Sequence, residues 1–151
     1  MKKTERLSQV RRVVDDIERR KAEALATCEK NVRAAQAKHD ELEAYRAAYV
    51  QDFARRAQAG MNGAGVREYQ VFLSRLDEAL RHQAQILAQA RLQRGAELES
   101  WRNAARRATA VGNLATHWKA EERLEADKSE QKESDERSQL LWSRRTSAHG
   151  S

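Results

Sequence analysis

The side chains that could do chemistry are few and scattered. The histidines are His39, His82, His117 and His149, and Cys28 is the single cysteine. None of the histidines has a second histidine or cysteine three or four positions on, the spacing that puts two metal ligands on one helix face. There is no His-Glu-x-x-His run, and no serine, histidine and acid are grouped as a triad. The carboxylates are numerous, but basic residues stand at i+3 or i+4 from them, as Lys21 does from Glu18. That is the pattern of surface ion pairs. Gly60, Gly63 and Gly65 give a G-x-x-G-x-G string, but no strand precedes it and no lysine-serine or lysine-threonine pair follows, so no phosphate loop is predicted. The reading is therefore of no enzyme: no catalytic residue, no metal ligand, no cofactor and no small-molecule substrate. Cys28 cannot form an intramolecular disulfide and reads as a small seam residue in a reducing cytoplasm.

The elements that would position any site are helices. The 151 residues contain no proline and only six glycines, with 34% charged and 5% aromatic residues. Alanine, arginine, glutamate, leucine and glutamine dominate, and all are good helix formers. Such a composition points to long helices or a coiled coil. The apolar residues are too thinly spread for the wide stripe of a globular core and suit the narrow seam of a two-stranded coil. No apolar leader is present and no run approaches the ~18–20 residues of a membrane span, so a cytoplasmic protein is expected.

One segment breaks the helical pattern. Residues 58–65 hold three glycines and an asparagine, and each interior glycine costs a helix about 1 kcal/mol. Gly60 is placed to end the first helix as its C′ residue. A first helix is predicted over about 4–57, with Thr4 as N-cap. Leu7, Val10, Val14 and Ile17 form its opening seam at 3-4-3 spacing. The seam weakens through Ala24, Leu25, Cys28, Val32 and Ala35 and strengthens at Leu42, Tyr45, Tyr49 and Phe53. A second helix is predicted over about 66–137. Val66, Tyr69, Leu73, Leu76, Leu80, Gln83, Leu87 and Ala90 carry its seam, which continues more loosely from Trp101 to Trp118. The fold expected is all-α: one long antiparallel two-helix coiled-coil hairpin over 1–142, followed by a disordered tail over 143–151. A short loop favours the antiparallel hairpin, and dimerisation of single helices in trans is the alternative.

The formal net charge is +6. Lys119 to Arg137 contains five basic and eight acidic residues, so that stretch is −3 and the remainder +9. Interleaved charges along most of the chain read as a solvated helix face. Arg102, Arg106 and Arg107 beside Trp101 could hold phosphates and stack a base. Glu97 and Glu99 lie within a turn and no recognition motif accompanies them. Nucleic acid is therefore not expected as the main ligand.

The region near the loop has more apolar width than one seam hides. Phe72, Leu76 and Ala79 recur at i, i+4, i+7, and Leu42, Tyr45 and Tyr49 at i, i+3, i+7. Both stripes lie at similar depth from the loop. Rimmed by Arg46, Arg75 and Gln83, they read either as a protein-binding patch or as ordinary seam residues.

Three segments resemble the FliJ family of flagellar export proteins. They are Leu7 to Ala24 (LSQVRRVVDDIERRKAEA), Glu68 to Gln83 (EYQVFLSRLDEALRHQ) and Glu130 to Arg137 (EQKESDER). The last is not a product of heptad repetition, and order and spacing agree along nearly the whole chain. The polar tail after Trp142 departs from the pattern. The resemblance implies a hairpin similar to the stalk of a rotary ATPase γ subunit. It implies as partners the hexameric export ATPase, the cytoplasmic domain of the membrane export-gate protein, and export chaperones. It places gate contact at Leu42, Tyr45, Tyr49, Phe72, Leu76 and Ala79. ATPase contact in such a stalk falls to the paired chain ends, at Leu7, Val10, Arg11, Val14, Lys119, Arg123 and Leu124. It implies a cytoplasmic protein peripheral to the inner-membrane export apparatus. The stalk of a virulence type III system and a basic coiled-coil nucleic-acid binder are the alternative functions.

Overall fold

The computed structural model describes residues 2–149, with the side chain of His149 outside the described set. Two helices account for nearly all of it: α1 spans Lys3–Ala59 and α2 spans Gly63–His149. They pack against each other antiparallel, and no strand occurs among the described residues. The all-α hairpin expected from composition and seam is therefore the observed fold.

The break is shorter than the glycine cluster suggested. Gly60 has φ +99°, a left-handed conformation that costs other residues strain, and it closes α1 with its N–H on the Ala57 carbonyl at 3.3 Å. Asn62 then starts α2 at once. Its side-chain oxygen accepts the Gly65 N–H at 2.8 Å, and its carbonyl accepts the Val66 N–H at 3.2 Å. Gly63, Ala64 and Gly65 are helical as a result.

Three further expectations are corrected. Thr4 is not an N-cap. The Lys2 carbonyl accepts from the Glu5 and Arg6 N–H groups, and Thr4 Oγ1 instead donates to the Glu122 carboxylate at 3.0 Å. Residues 143–149 continue α2 rather than forming a disordered tail, since no glycine or proline stands between Asn113 and His149 to end the helix. Residues 150 and 151 lie outside the described set. Glu18, assigned to Lys21 from spacing, accepts a hydrogen bond from the Trp101 indole at 2.9 Å.

The chain packs as two compact units rather than one. In the unit formed by Ile17–Ala104, Val32, Ala35 and Leu87 make a buried cluster against which Ala90 packs. Gln83 donates to the Ala35 carbonyl at 3.0 Å, so this polar seam residue is satisfied where it meets the other helix. Buried positions on α2 in this unit include Leu76 and Leu87, both on the 3-4 seam expected from sequence.

In the unit formed by Met1–Asp16 and Ala105–Ser151, Leu7 and Val14 of α1 and Ala115 of α2 are buried. Val10, assigned to the same seam, is 47% exposed. It lies about 60° around the helix from Leu7, turned away from the seam that buries Leu7 and Val14. Ile17, in the other unit, is also exposed. Beyond Glu122 nothing covers α2: every residue from 123 to 148 is exposed.

Candidate partner-binding surfaces

The Ile17–Ala104 unit carries an aromatic cluster next to the helix break. Phe53 stacks on Tyr69 with centroids 3.7 Å apart, and Tyr69 stacks on Tyr49 at 4.7 Å and 4°. Tyr49 meets Phe72 at 4.6 Å, tilted by 44°, and Tyr45 meets Phe72 edge-on at 6.2 Å. Five rings from two helices thus form one continuous strip. The i, i+4 spacing of Tyr45, Tyr49 and Phe53 lines up the α1 members, and the i, i+3 spacing of Tyr69 and Phe72 supplies the α2 members. Such ring pairs add about 0.5–1.5 kcal/mol each beyond simple burial.

The strip is partly buried at one end and open at the other. Partial burial holds the Tyr69 phenol above its ordinary pKa, with the neighbouring Tyr49 phenol adding and the Arg46 guanidinium opposing. Tyr45 is 53% exposed. Arg46 Nε donates to Asp77 Oδ1 at 2.6 Å beside it, and that bond raises the guanidinium pKa further above its usual value. Both partners are partly open to solvent, so the pair contributes geometry more than stability. On the α2 side, Arg67, Glu68, Val71, Phe72 and Arg75 line a shallow groove. Val71 is exposed there and was missed from sequence, because it lies off both of the apolar stripes.

The six residues of the predicted patch are not equivalent. Tyr45, Tyr49 and Phe72 are brought together. Leu42 and Ala79 are half-buried. Leu76, read from sequence both as seam and as stripe, is only 7% exposed and belongs to the seam rather than to an open surface. Gln83, expected on the rim, is taken up by Ala35.

A family model described as flagellar FliJ protein matches residues 2–147 of the chain. The chain belongs to the FliJ family. Its members are non-catalytic flagellar export proteins, and this chain is accordingly related to flagellar export. No curated protein and no solved structure matches it at a significant level.

For a FliJ protein the second surface of interest lies in the unit containing both chain ends. Thr4 donates to Glu122, and Lys3 Nζ stands 3.8 Å from the centroid of the Trp118 ring. Thr4, Leu7, Ser8, Arg11, Ala115 and Lys119 line a small cleft. Of the residues expected to meet the ATPase, Leu7 and Val14 are buried in the seam. Val10, Arg11, Lys119, Arg123 and Leu124 are exposed, Leu124 to 60%. Val13, at 58%, extends that surface and was not singled out from sequence.

The remaining polar groups read as surface pairs. His39 Nδ1 lies 3.4 Å from Glu43, and ligand atoms of His39, Asp40 and Glu43 fall within 4.8 Å of one another. Histidine or cysteine spacing does not mark this grouping, because the other two members are carboxylates. Asp40 and Glu43 are exposed, and Asp40 accepts from Gln36 at 2.9 Å. His117 pairs with Glu121 at 3.0 Å. Burial is the usual setting for a strongly perturbed catalytic group, and among the described residues no polar or charged side chain is buried. Trp101 spends its indole N–H on Glu18, and Arg102 pairs with Glu99 at 3.0 Å. The arginine-tryptophan cluster therefore offers less to a phosphate backbone than its sequence suggested. No helix among the described residues is long and apolar enough to cross a membrane.

Proposed function

We propose that this FliJ protein is a non-enzymatic stalk and chaperone escort that links the hexameric export ATPase to the cytoplasmic domain of the membrane export gate. It acts in the cytoplasm, peripheral to the inner-membrane export apparatus. The observation that carries the reading is the family match over residues 2–147, and the open aromatic strip supports it. A half-exposed tyrosine resting on a packed phenylalanine, rimmed by an ordered arginine, has the composition of an interface hot spot. Tyr45, Tyr49 and Phe72 make the gate contact, with Val71 at its edge and Leu42 and Ala79 flanking. Leu76 supports them from beneath.

The exposed Val10, Arg11, Lys119, Arg123 and Leu124 meet the ATPase, over the buried Leu7 and Val14. A ligand on each surface couples hydrolysis to export by linkage between two binding sites. The test is ATP hydrolysis by the purified export ATPase with and without this protein. Faster hydrolysis that is lost in a Val10→Asp, Leu124→Asp double variant of unchanged helicity supports the reading. Hydrolysis indifferent to the protein overturns it.

A further inference from the structure

The α2 segment beyond Glu122 has no cover, yet it is patterned. Glu133, Glu136, Leu140 and Ser143 recur at 3-4-3 spacing and so share one helix face, with Leu140 59% exposed. A second line runs along α1 in the same unit: Lys3, Arg6, Val10 and Val13, again at 3-4-3 spacing, with both valines open to solvent and Lys3 exposed although its Nζ lies over the Trp118 ring of the same chain. The two lines match residue for residue at a constant offset of 130 positions. Glu133 aligns with Lys3, Glu136 with Arg6 and Leu140 with Val10. Like charges also fall level, Lys132 with Lys2 and Asp135 with Glu5, but each stands one residue off its line, about 100° around the helix.

We propose that two copies of this chain associate reciprocally, the α2 extension of each lying parallel along the Lys3–Arg6–Val10–Val13 line of the other. Within the chain Trp118 meets Lys3 at one end of the line, while Val10 and Val13 stay open. α2 has no glycine or proline after Asn113 at which to fold back, so the occupant must come from another molecule. The register closes as a two-fold. Within one copy Thr4 sits opposite Glu122, and Arg11 lies beside Gly112. An extension aligned with α1 of the partner is therefore antiparallel to the partner's α2, and the symmetry axis falls beside Ala126 and Asp127. An isologous dimer of this kind is the commonest oligomer. Opposite charges fix the register and the leucine–valine contact adds burial.

The dimer covers Val10, Arg123 and Leu124, and so excludes the ATPase contact proposed above. The assay for it contains no ATPase, so the two readings fail separately. It is sedimentation equilibrium of the full-length chain, with circular dichroism as the folding control. The wild type is expected to be a monomer–dimer system at micromolar concentration. Lys3→Glu with Arg6→Glu weakens the dimer about tenfold or more, as does Glu133→Lys with Glu136→Lys, because attractive pairs become repulsive on both sides of the axis. Combining all four substitutions restores it to within a few-fold of wild type. A wild-type monomer throughout, a dimer indifferent to either reversal, or no restoration in the fourfold variant overturns the proposal. So does a monomer whose Lys3, Arg6 and Val10 line binds a different protein.

Discussion

The Trp101 indole nitrogen donates to a Glu18 carboxylate oxygen at 2.9 Å, joining α2 to α1 across 83 positions of sequence. The bond answers two questions at once. It gives a partly buried polar edge its partner, and it takes the aromatic out of reach of a stacked base. Glu18→Gln keeps the shape and is expected to cost about 0.5–1.5 kcal/mol, and Trp101→Phe more, because packing is lost with the donor. A double-mutant cycle by urea unfolding checks this. Additive losses would show that the two side chains do not interact in solution.

Leu76 and Tyr45 separate stability from binding. Leu76→Ala removes a seam residue only 7% exposed and is expected to cost about 2–3 kcal/mol. Tyr45→Ala, at 53% exposure, is expected to cost about 0.5 kcal/mol or less. Denaturant midpoints read both. Equal losses would mean that Tyr45 is a structural residue and not a surface one.

Tyr69 gives an alkaline signature. Its phenol is held above the ordinary value by partial burial and by Tyr49. The folded state thus retains a proton that the unfolded chain has begun to release, and stability falls as pH rises past about 10. Below that the contribution is fully present. In an ultraviolet titration one tyrosine is expected to ionise later than the others, and Tyr69→Phe removes that late component. A single ordinary transition for all three tyrosines would contradict the packing described.

Among the described residues Gly60 is the one with φ in the left-handed region. Gly60→Ala is expected to cost about 1 kcal/mol although no atom stands within 4 Å of the added carbon. The loss is conformational, so Gly60→Asn should recover part of it. Thermal unfolding of the three proteins distinguishes strain from crowding.

The fold was legible because helix needs little besides composition and period. The absence of proline, the single glycine cluster and the recurring leucines point to one break between two helices. What spacing could not give was which face each helix turns to its partner. Leu7, Val10 and Val14 have ideal 3-4 spacing, yet only Leu7 and Val14 are buried. The identity of the opposing residues decides that, and they lie a hundred positions away. Leu76 stood on both the seam and the adjacent stripe in sequence, and it is buried in the seam. Thr4 and Glu18 were given local partners from sequence and found long-range ones. The end of α2 was misjudged on polarity, although its residues are helix formers with no breaker among them. The aromatic strip was half-legible. Tyr45, Tyr49 and Phe72 stood out, while the exposure of Val71 depends on a helix face that the stripe pattern did not count.

The most direct test of the central claim, that the open aromatic strip is the contact for the export gate, is the affinity of the gate protein's cytoplasmic domain for the wild type and for Tyr45→Ala. Isothermal calorimetry measures it, with circular dichroism matched between the two proteins. The account predicts binding by the wild type and a loss of about tenfold or more in the variant, the scale of a hot-spot residue. Equal affinity for both, or no binding by either, would contradict it.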